Sequence, residues 1–438
     1  MTIAFYTLGC KVNQVDSSLL RRQMATAGYQ PVELDAGADV IVLNSCAVTA
    51  ESERKTRQAL RRFRKLHPDS VLVLTGCSVQ ICPNPGDVYV DADLILGHSN
   101  ALNLPEAIEA FLRSGIRQII VSQHQRDESF VASNALSADL PALTNRIRAN
   151  VKIEDGCDCS CAYCVIPQAR GPVRSKPLSA LQREYAALDQ AGFAEIVLVG
   201  INLSAYGSDL GHSLFDAILL AEEFPSIKRL RLGSLEPDRL PLALLEQLAK
   251  VGKLCPHFHL SLQSGSDRTL QAMRRPYTTA DYARTAAHLR HLFPELSITT
   301  DIMVGFPGES DADFQESLAF AHQIGFSNMH VFPFSSRPGT AAASLPQQLT
   351  RAEKISRSQQ MISAARDMRR QFLSSQVGKT VSVLPEEPHP LGGMRGYSAN
   401  YTQLRIIDAT AALRGAIAQS RIIGVEEDGC GCFGVLVL

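Results

Sequence analysis

The sequence predicts an α/β protein in three parts: an N-terminal parallel α/β sheet domain, a central open six-stranded (βα) barrel and a small C-terminal β-barrel. Three observations predict it. Short apolar, β-branched runs alternate with helical patterns through most of the chain, as parallel strands covered by helices do. That alternation is interrupted by residues 122–149, which lack clear periodicity. Beyond Gly378 short β-rich runs punctuated by glycines replace the helices. The resulting boundaries are 1–121, a linker at 122–149, 150–375 and 376–438.

Composition agrees with an ordinary globular protein. A chain of 438 residues can build two or three cores, and 45% hydrophobic with 20% charged residues is unexceptional. The net charge of −1 gives no global sign of nucleic acid, so any basic surface must be local. No apolar run approaches the length of a spanning helix, so no membrane segment is expected. TLGC (7–10) resembles a lipoprotein cleavage box, but only nine residues precede Cys10 and they lack basic and apolar regions. The expected location is cytoplasmic, with reduced thiols.

In the first part, strands are expected at 3–8, 39–44 and 71–76, with a weaker one at 93–96, and helices around 14–28, 48–66 and 103–114. Each of the first three strands runs into a cysteine: Cys10, Cys46 and Cys77. Ligands of open α/β sheets bind beyond the carboxyl ends of strands, so three cysteines at three such ends point to a shared cluster. A lone buried cysteine would be a small hydrophobe, and Cys82, in a loop, is read as non-ligating. The helix at 48–66 carries Arg54, Lys55, Arg57, Arg61, Arg62, Arg64 and Lys65 against Glu51 and Glu53. It is either a solvated face or a phosphate-binding one.

The central part offers six strands, at 151–154, 195–200, 228–234, 257–263, 297–305 and 328–334, with helices between them such as 179–191 and 239–250. The unit is shorter than the roughly 250 residues of a complete eight-stranded barrel, so an open barrel fits, with its active face at the strands' carboxyl ends. Gly200, Ser234, Glu236, Gln263 and Asp301 fall at or near those ends. GFPGES (305–310) is either a close ligand approach or a tight turn with Ser310 as helix N-cap.

At the end of the first of these strands lies GCDCSCAYC (156–164), with four of the eleven cysteines. Cys157, Cys161 and Cys164 are spaced C-x₃-C-x₂-C, with Cys159 between the first two. Structural zinc takes four ligands, usually as two separated pairs; here it would have to recruit Cys159. Three thiolates suit a 4Fe–4S cluster with one iron open to another ligand.

Further on, TRAE (350–353) is a capping box opening a long helix to about residue 374. The β-rich runs of the last part lie at 380–385, 401–408, 412–418, 421–426 and 432–438. They read as a small barrel of a kind that often binds RNA, whose removal is expected to spare the chemistry elsewhere. Cys430 and Cys432 are read as structural.

Together these residues resemble the radical S-adenosylmethionine methylthiotransferases. The resemblance spans nearly the whole chain: the three-cysteine N-terminal domain, the C-x₃-C-x₂-C loop, HLSLQSGSDRTLQAMRRPYT (259–278), TDIMVGFPGES (300–310), HVFPFSSRPGTAA (330–342) and a terminal barrel similar to the TRAM domain. TLGCKVNQ (7–14) and ARGPVRS (169–175) resemble the branch acting on N6-threonylcarbamoyladenosine at position 37 of tRNA. The resemblance implies a 4Fe–4S cluster on Cys157, Cys161 and Cys164, with S-adenosylmethionine on its open iron. It implies a second 4Fe–4S cluster on Cys10, Cys46 and Cys77 that handles sulfur. Tyr163 matches a position that contacts the adenine of the cofactor, and Gly200, Ser234 and Gln263 are the other residues expected to contact S-adenosylmethionine. Cys159, Ser160, Gln168 and GHSNA (97–101) depart from the family pattern.

The chemistry agrees with this reading. An adenine C–H offers no acidic proton, so a cofactor must carry a radical step while the protein binds and orients. No side-chain general base is assigned. The expected partners are the tRNA anticodon stem-loop, an electron donor such as a flavodoxin or ferredoxin, and a sulfur source, with no membrane. The competing readings are methylthiolation of isopentenyladenosine tRNA or of a ribosomal protein, and a non-enzymatic Fe–S redox sensor that binds RNA.

Overall fold

The computed structural model describes residues 1–125, Glu128, Phe130 and 147–437, so most of the linker expected at 122–149 lies outside the described residues. The chain forms two compact units. One gathers the described residues before 131 with Glu154–Lys176 and Ser335–Ala343; the other holds the rest.

In the first unit six parallel strands lie in the order Gln30–Pro31, Thr2–Thr7, Val40–Ser45, Val71–Gly76, Leu94–Leu96, Gln118–Ile120. The four expected strands are present. The two added at the edges are only two and three residues long, too short to show a period. Val40–Ser45 and Val71–Gly76 are buried at every position, which is why they read as unbroken apolar runs. One face packs Val40, Val42 and Val73 against Leu20, Met24 and Ile108. The other packs Ile41, Leu43, Leu72 and Leu74 against Leu60 and Phe63 of helix Ala50–Leu66. Burying each large apolar side chain there contributes about 1.5–3 kcal/mol. This apolar stripe leaves the helix's cationic residues on its other faces.

The second unit contains the six expected barrel strands in two parallel sheets. Arg148–Lys152, Glu195–Val199 and Arg229–Leu232 form one. Ser234–Leu235, His257–Leu260, Ser297–Val304 and Asn328–Pro333 form the other. The expected third strand is therefore split at Gly233, whose N–H donates to Leu198 O at 2.8 Å. Before it the strand pairs with 195–199; after it, Ser234 and Leu235 pair with His259 and Leu260. A single apolar core fills this part. Ser310 caps helix Asp311–Ile324 with a complete capping box, so GFPGES does serve as a capped turn. Thr350 likewise caps helix Arg351–Gln376.

The terminal strands close into a barrel in the order Thr380–Pro388, Met394–Ser398, Gln403–Ile406, Cys432–Leu436, Ala418–Val425. Two local expectations change. Met394–Ser398 is a strand that glycine-rich surroundings concealed. Most of 412–418 is turn instead of strand, because a 3₁₀ turn at Ala411–Leu413 leads into Gly415 at φ +82°. Cys432 is buried in the barrel core and Cys430 is exposed.

The barrel is fastened to the amino-terminal ends of the first sheet. Glu195 is fully buried and accepts from Arg231 Nε at 2.8 Å, with Arg229 at 3.4 Å and Arg148 at 3.9 Å. Arg231 also donates to the carbonyls of Ala399 at 2.9 Å and Ser398 at 3.2 Å, and Arg229 donates to Tyr397 O at 3.2 Å and Ser382 Oγ at 2.7 Å. Arg148 pairs with Glu386 and lies 4.8 Å over the Tyr397 ring.

Candidate functional site

Cys10, Cys46 and Cys77 each follow the carboxyl end of a parallel strand in the first unit. Their loops are drawn tightly together. Gly9 and Gly76 take φ +124° and +102°; a Cβ on Gly9 would lie 3.1 Å from Cys46 Cβ, and one on Gly76 within 2.6 Å of Ser45 and Asn44. A polar strap holds the three ends. Asn13 Nδ2 donates to Asn44 Oδ1 at 3.3 Å and Ser45 O at 3.0 Å; Asn44 Nδ2 donates back to Asn13 O at 3.0 Å. Ser78 Oγ donates to Ser45 Oγ at 2.7 Å. Cys10 Sγ reaches Asn13 Oδ1 at 3.1 Å. Burial pushes the Cys77 thiol up to about 11 against the pull of Arg170, and the neighbouring Cys46 and Cys10 push the same way. Burial also raises Cys46. Three soft donors on a rigid support could hold iron, with loss of their protons on binding.

The C-x₃-C-x₂-C loop belongs to the same unit. It is clamped by Glu154–Asp155 pairing with Arg174–Ser175 and by Cys157 N–H donating to Gly171 O at 3.0 Å. Peptide N–H groups of Cys159 and Ile166 point at Cys157 Sγ and Cys164 Sγ, both at 3.4 Å. These N–H groups favour thiolates there. The Cys157 thiol itself is raised, first by its hydrogen bond to Cys159 and then by burial. Cys161 and Tyr163 are partly exposed in the loop. The following helix Ile166–Arg170 packs Val165 and Ala169 on Ala47 and Cys77. It ends in Arg170, which is fully buried and donates from Nε to Cys77 Sγ at 3.2 Å.

In the second unit Gly200 follows strand Glu195–Val199, and Ser234 opens the short strand after the Gly233 break. Gln263 lies just beyond His257–Leu260, at φ +67°, exchanging backbone bonds with Asp301 O and Met303 N–H. Its side-chain Oε1 is buried with no hydrogen-bond partner among the described residues, an acceptor left open to a donor. Glu236 is tied up by Arg275, although burial raises its carboxyl. His259, Asp301 and His330, on three adjacent strands, bring one ligand atom each within 4.8 Å of one another. Of these three, sequence reasoning singled out only Asp301. It also assigned no role to Asn13, Asn44 or Arg170.

The comparisons with known proteins run parallel to this geometry. The radical SAM superfamily matches residues 151–321, and uncharacterized protein family UPF0004 matches 2–96. Over 429 residues the chain is 34% identical to threonylcarbamoyladenosine tRNA methylthiotransferase MtaB of Thermotoga maritima, covering 98% of this chain and 96% of that one. The chain belongs to the radical SAM methylthiotransferase family. It is also 34% identical over 401 residues to tRNA-2-methylthio-N(6)-dimethylallyladenosine synthase of Moorella thermoacetica, covering 88% of this chain and 87% of that one. Among solved structures, the methyltransferase TsrM of Kitasatospora setae shares the fold at TM-score 0.58 and 13% identity, over 78% of this chain and 77% of that one. A methylthiotransferase of this superfamily is a transferase that works with an iron–sulfur cluster and S-adenosylmethionine. No helix among the described residues is long and apolar enough to cross a membrane.

Proposed function

We propose that this methylthiotransferase adds a methylthio group to C2 of N6-threonylcarbamoyladenosine at position 37 of tRNA. Two observations support the substrate assignment: TLGCKVNQ (7–14) and ARGPVRS (169–175) resemble that branch, and the chain is 32–35% identical to threonylcarbamoyladenosine enzymes of three bacteria, one match taking in 98% of the chain. Cys157, Cys161 and Cys164 hold one 4Fe–4S cluster; Cys10, Cys46 and Cys77 hold a second. Tyr163, Gly200, Ser234 and Gln263 contact S-adenosylmethionine. When bound, these groups supply the radical and sulfur-transfer chemistry that an unactivated C–H requires. The chain's part is to present three thiolates per site and keep their loops rigid. It also binds RNA, through the exposed cations of helix Ala50–Leu66 and the terminal barrel. The domains are 1–121, 150–375 and 376–438, joined by the linker 122–149. A flavodoxin- or ferredoxin-like donor delivers electrons, a separate source delivers sulfur, and the enzyme works in the cytoplasm.

The test is mass spectrometry of tRNA nucleosides from cells with and without the gene. The methylthio derivative of threonylcarbamoyladenosine should vanish in its absence while that of isopentenyladenosine persists. The opposite pattern would overturn the substrate assignment.

A further inference from the structure

We propose that Arg170 sets the reduction potential of the cluster at Cys10, Cys46 and Cys77 by donating a charged hydrogen bond to the Cys77 sulfur. The inference rests on the assignment of those three thiols made above. Arg170 is the last residue of a helix that begins two positions after Cys164, and its side chain is completely buried. Every edge of its guanidinium is used. Nε faces Cys77 Sγ at 3.2 Å, Nη1 donates to Asp155 Oδ1 at 3.0 Å, and Nη2 donates to Asp16 Oδ2 at 2.9 Å and Asn13 Oδ1 at 3.4 Å. The fork therefore cannot swing away from the sulfur without breaking its bonds to two carboxylates.

Asp16, His98 and Asp155 place one atom each within 4.8 Å of one another, the outline of a cation site. The cation that answers them is the guanidinium itself. A guanidinium keeps its charge at any ordinary pH, and Asp155 and Asp16 balance it here.

A positive donor beside a cluster thiolate stabilises the more negative, reduced state, and hydrogen bonds to sulfur are a principal control of cluster potential. In a dry interior that charge is poorly screened. Arg170 thus raises the midpoint of the N-terminal cluster. It acts through Cys77, as a positioning and tuning residue.

The experiment compares full-length, anaerobically reconstituted wild type, Arg170→Gln and Arg170→Lys by iron content and by redox titration followed with electron paramagnetic resonance. The N-terminal wave is identified as the one lost in Cys46→Ala. Wild type should hold about eight irons and show two waves. Arg170→Gln should lower the N-terminal midpoint and leave the other unmoved, and Arg170→Lys should restore part of the drop. If the Gln protein does not fold, the Lys protein decides by the same shift. An unmoved N-terminal midpoint in the folded variants overturns the role of Arg170. A wild type with about four irons and one wave overturns the cluster assignment and the inference together.

Discussion

Replacing Glu195 by alanine should destabilise the second unit by about 3–5 kcal/mol, the usual cost of removing one partner from a buried ion pair. The magnitude follows from what is left behind. Glu195 is fully buried among Arg231, Arg229 and Arg148, and without it Glu386, paired with Arg148, is the one carboxylate among the described residues left to balance three guanidinium groups. Burial alone would raise the Glu195 carboxyl, but Arg231, Arg148 and Arg229 bring it below the ordinary range. A carboxyl depressed by folding contributes stability that is complete above its unfolded value, about 4.3, and is lost as pH falls through the folded one. The assay is urea unfolding, followed by circular dichroism, of wild type, Glu195→Ala, Glu195→Gln and the double variant Glu195→Ala/Arg231→Met. The single alanine should be worst, and the double should recover part of the loss by removing a stranded cation. Stability of the Gln variant should fall less steeply in acid than that of wild type. A loss within about 1 kcal/mol for Glu195→Ala would refute the reasoning, since exposed pairs are worth that little. The same contacts give the terminal barrel a structural role. Deleting it takes the carbonyls of Tyr397, Ser398 and Ala399 from Arg229 and Arg231.

Three further outcomes follow from the proposed sites. Replacing Cys157, Cys161 and Cys164 together by alanine should remove about half of the iron and all S-adenosylmethionine cleavage. Cys46→Ala should still form 5′-deoxyadenosine but no methylthio product, as liquid chromatography with mass spectrometry would read. Neutralising Lys55, Arg61, Arg62 and Lys65, all exposed, should weaken tRNA binding and flatten its dependence on salt, because fewer counterions are released. Unchanged affinity at two salt concentrations would mean the helix is a solvated face.

Arg64 is absent from that set for a structural reason. In the sequence it is one more cation in a basic run. In the fold it pairs with Asp93 at 2.6 Å and donates to the carbonyls of Pro68, Ser70 and Asp91. The distinction is invisible in a linear pattern, because charge is read from residue type and partners come from folding. The same limit hid Asn13 and Asn44, whose side chains meet across 31 positions, and Arg170, which meets Cys77 across 93. What was legible had local causes. Buried parallel strands announce themselves as apolar runs, helix starts as the Ser310 cap and the Thr350 capping box, and the cysteine loops as thiols placed just after strands. The strand at Met394–Ser398 was missed because MRGYS is short, mixed and glycine-bearing. The His259, Asp301 and His330 grouping requires a register between three strands that no single strand encodes.

The first unit is assembled from three separate stretches of chain, the last of them Ser335–Ala343. Its sheet is complete early in synthesis, yet Arg170 and the Arg337–Glu53 ion pair at 3.0 Å arrive much later. At ordinary elongation rates the last segment follows the sheet by on the order of tens of seconds, and the helix ending in Arg170 follows the sheet by about 3–10 seconds. During that shorter interval Cys10, Cys46 and Cys77 stand at the strand ends without the helix that packs over Cys77. The nascent chain therefore presents an open thiol site while still on the ribosome, and Arg170 closes onto it only after the second cysteine loop has been made. For the cluster proposed on these thiols, loading before and after that moment would meet two different sites, so the order of iron delivery relative to translation would depend on this chain's topology.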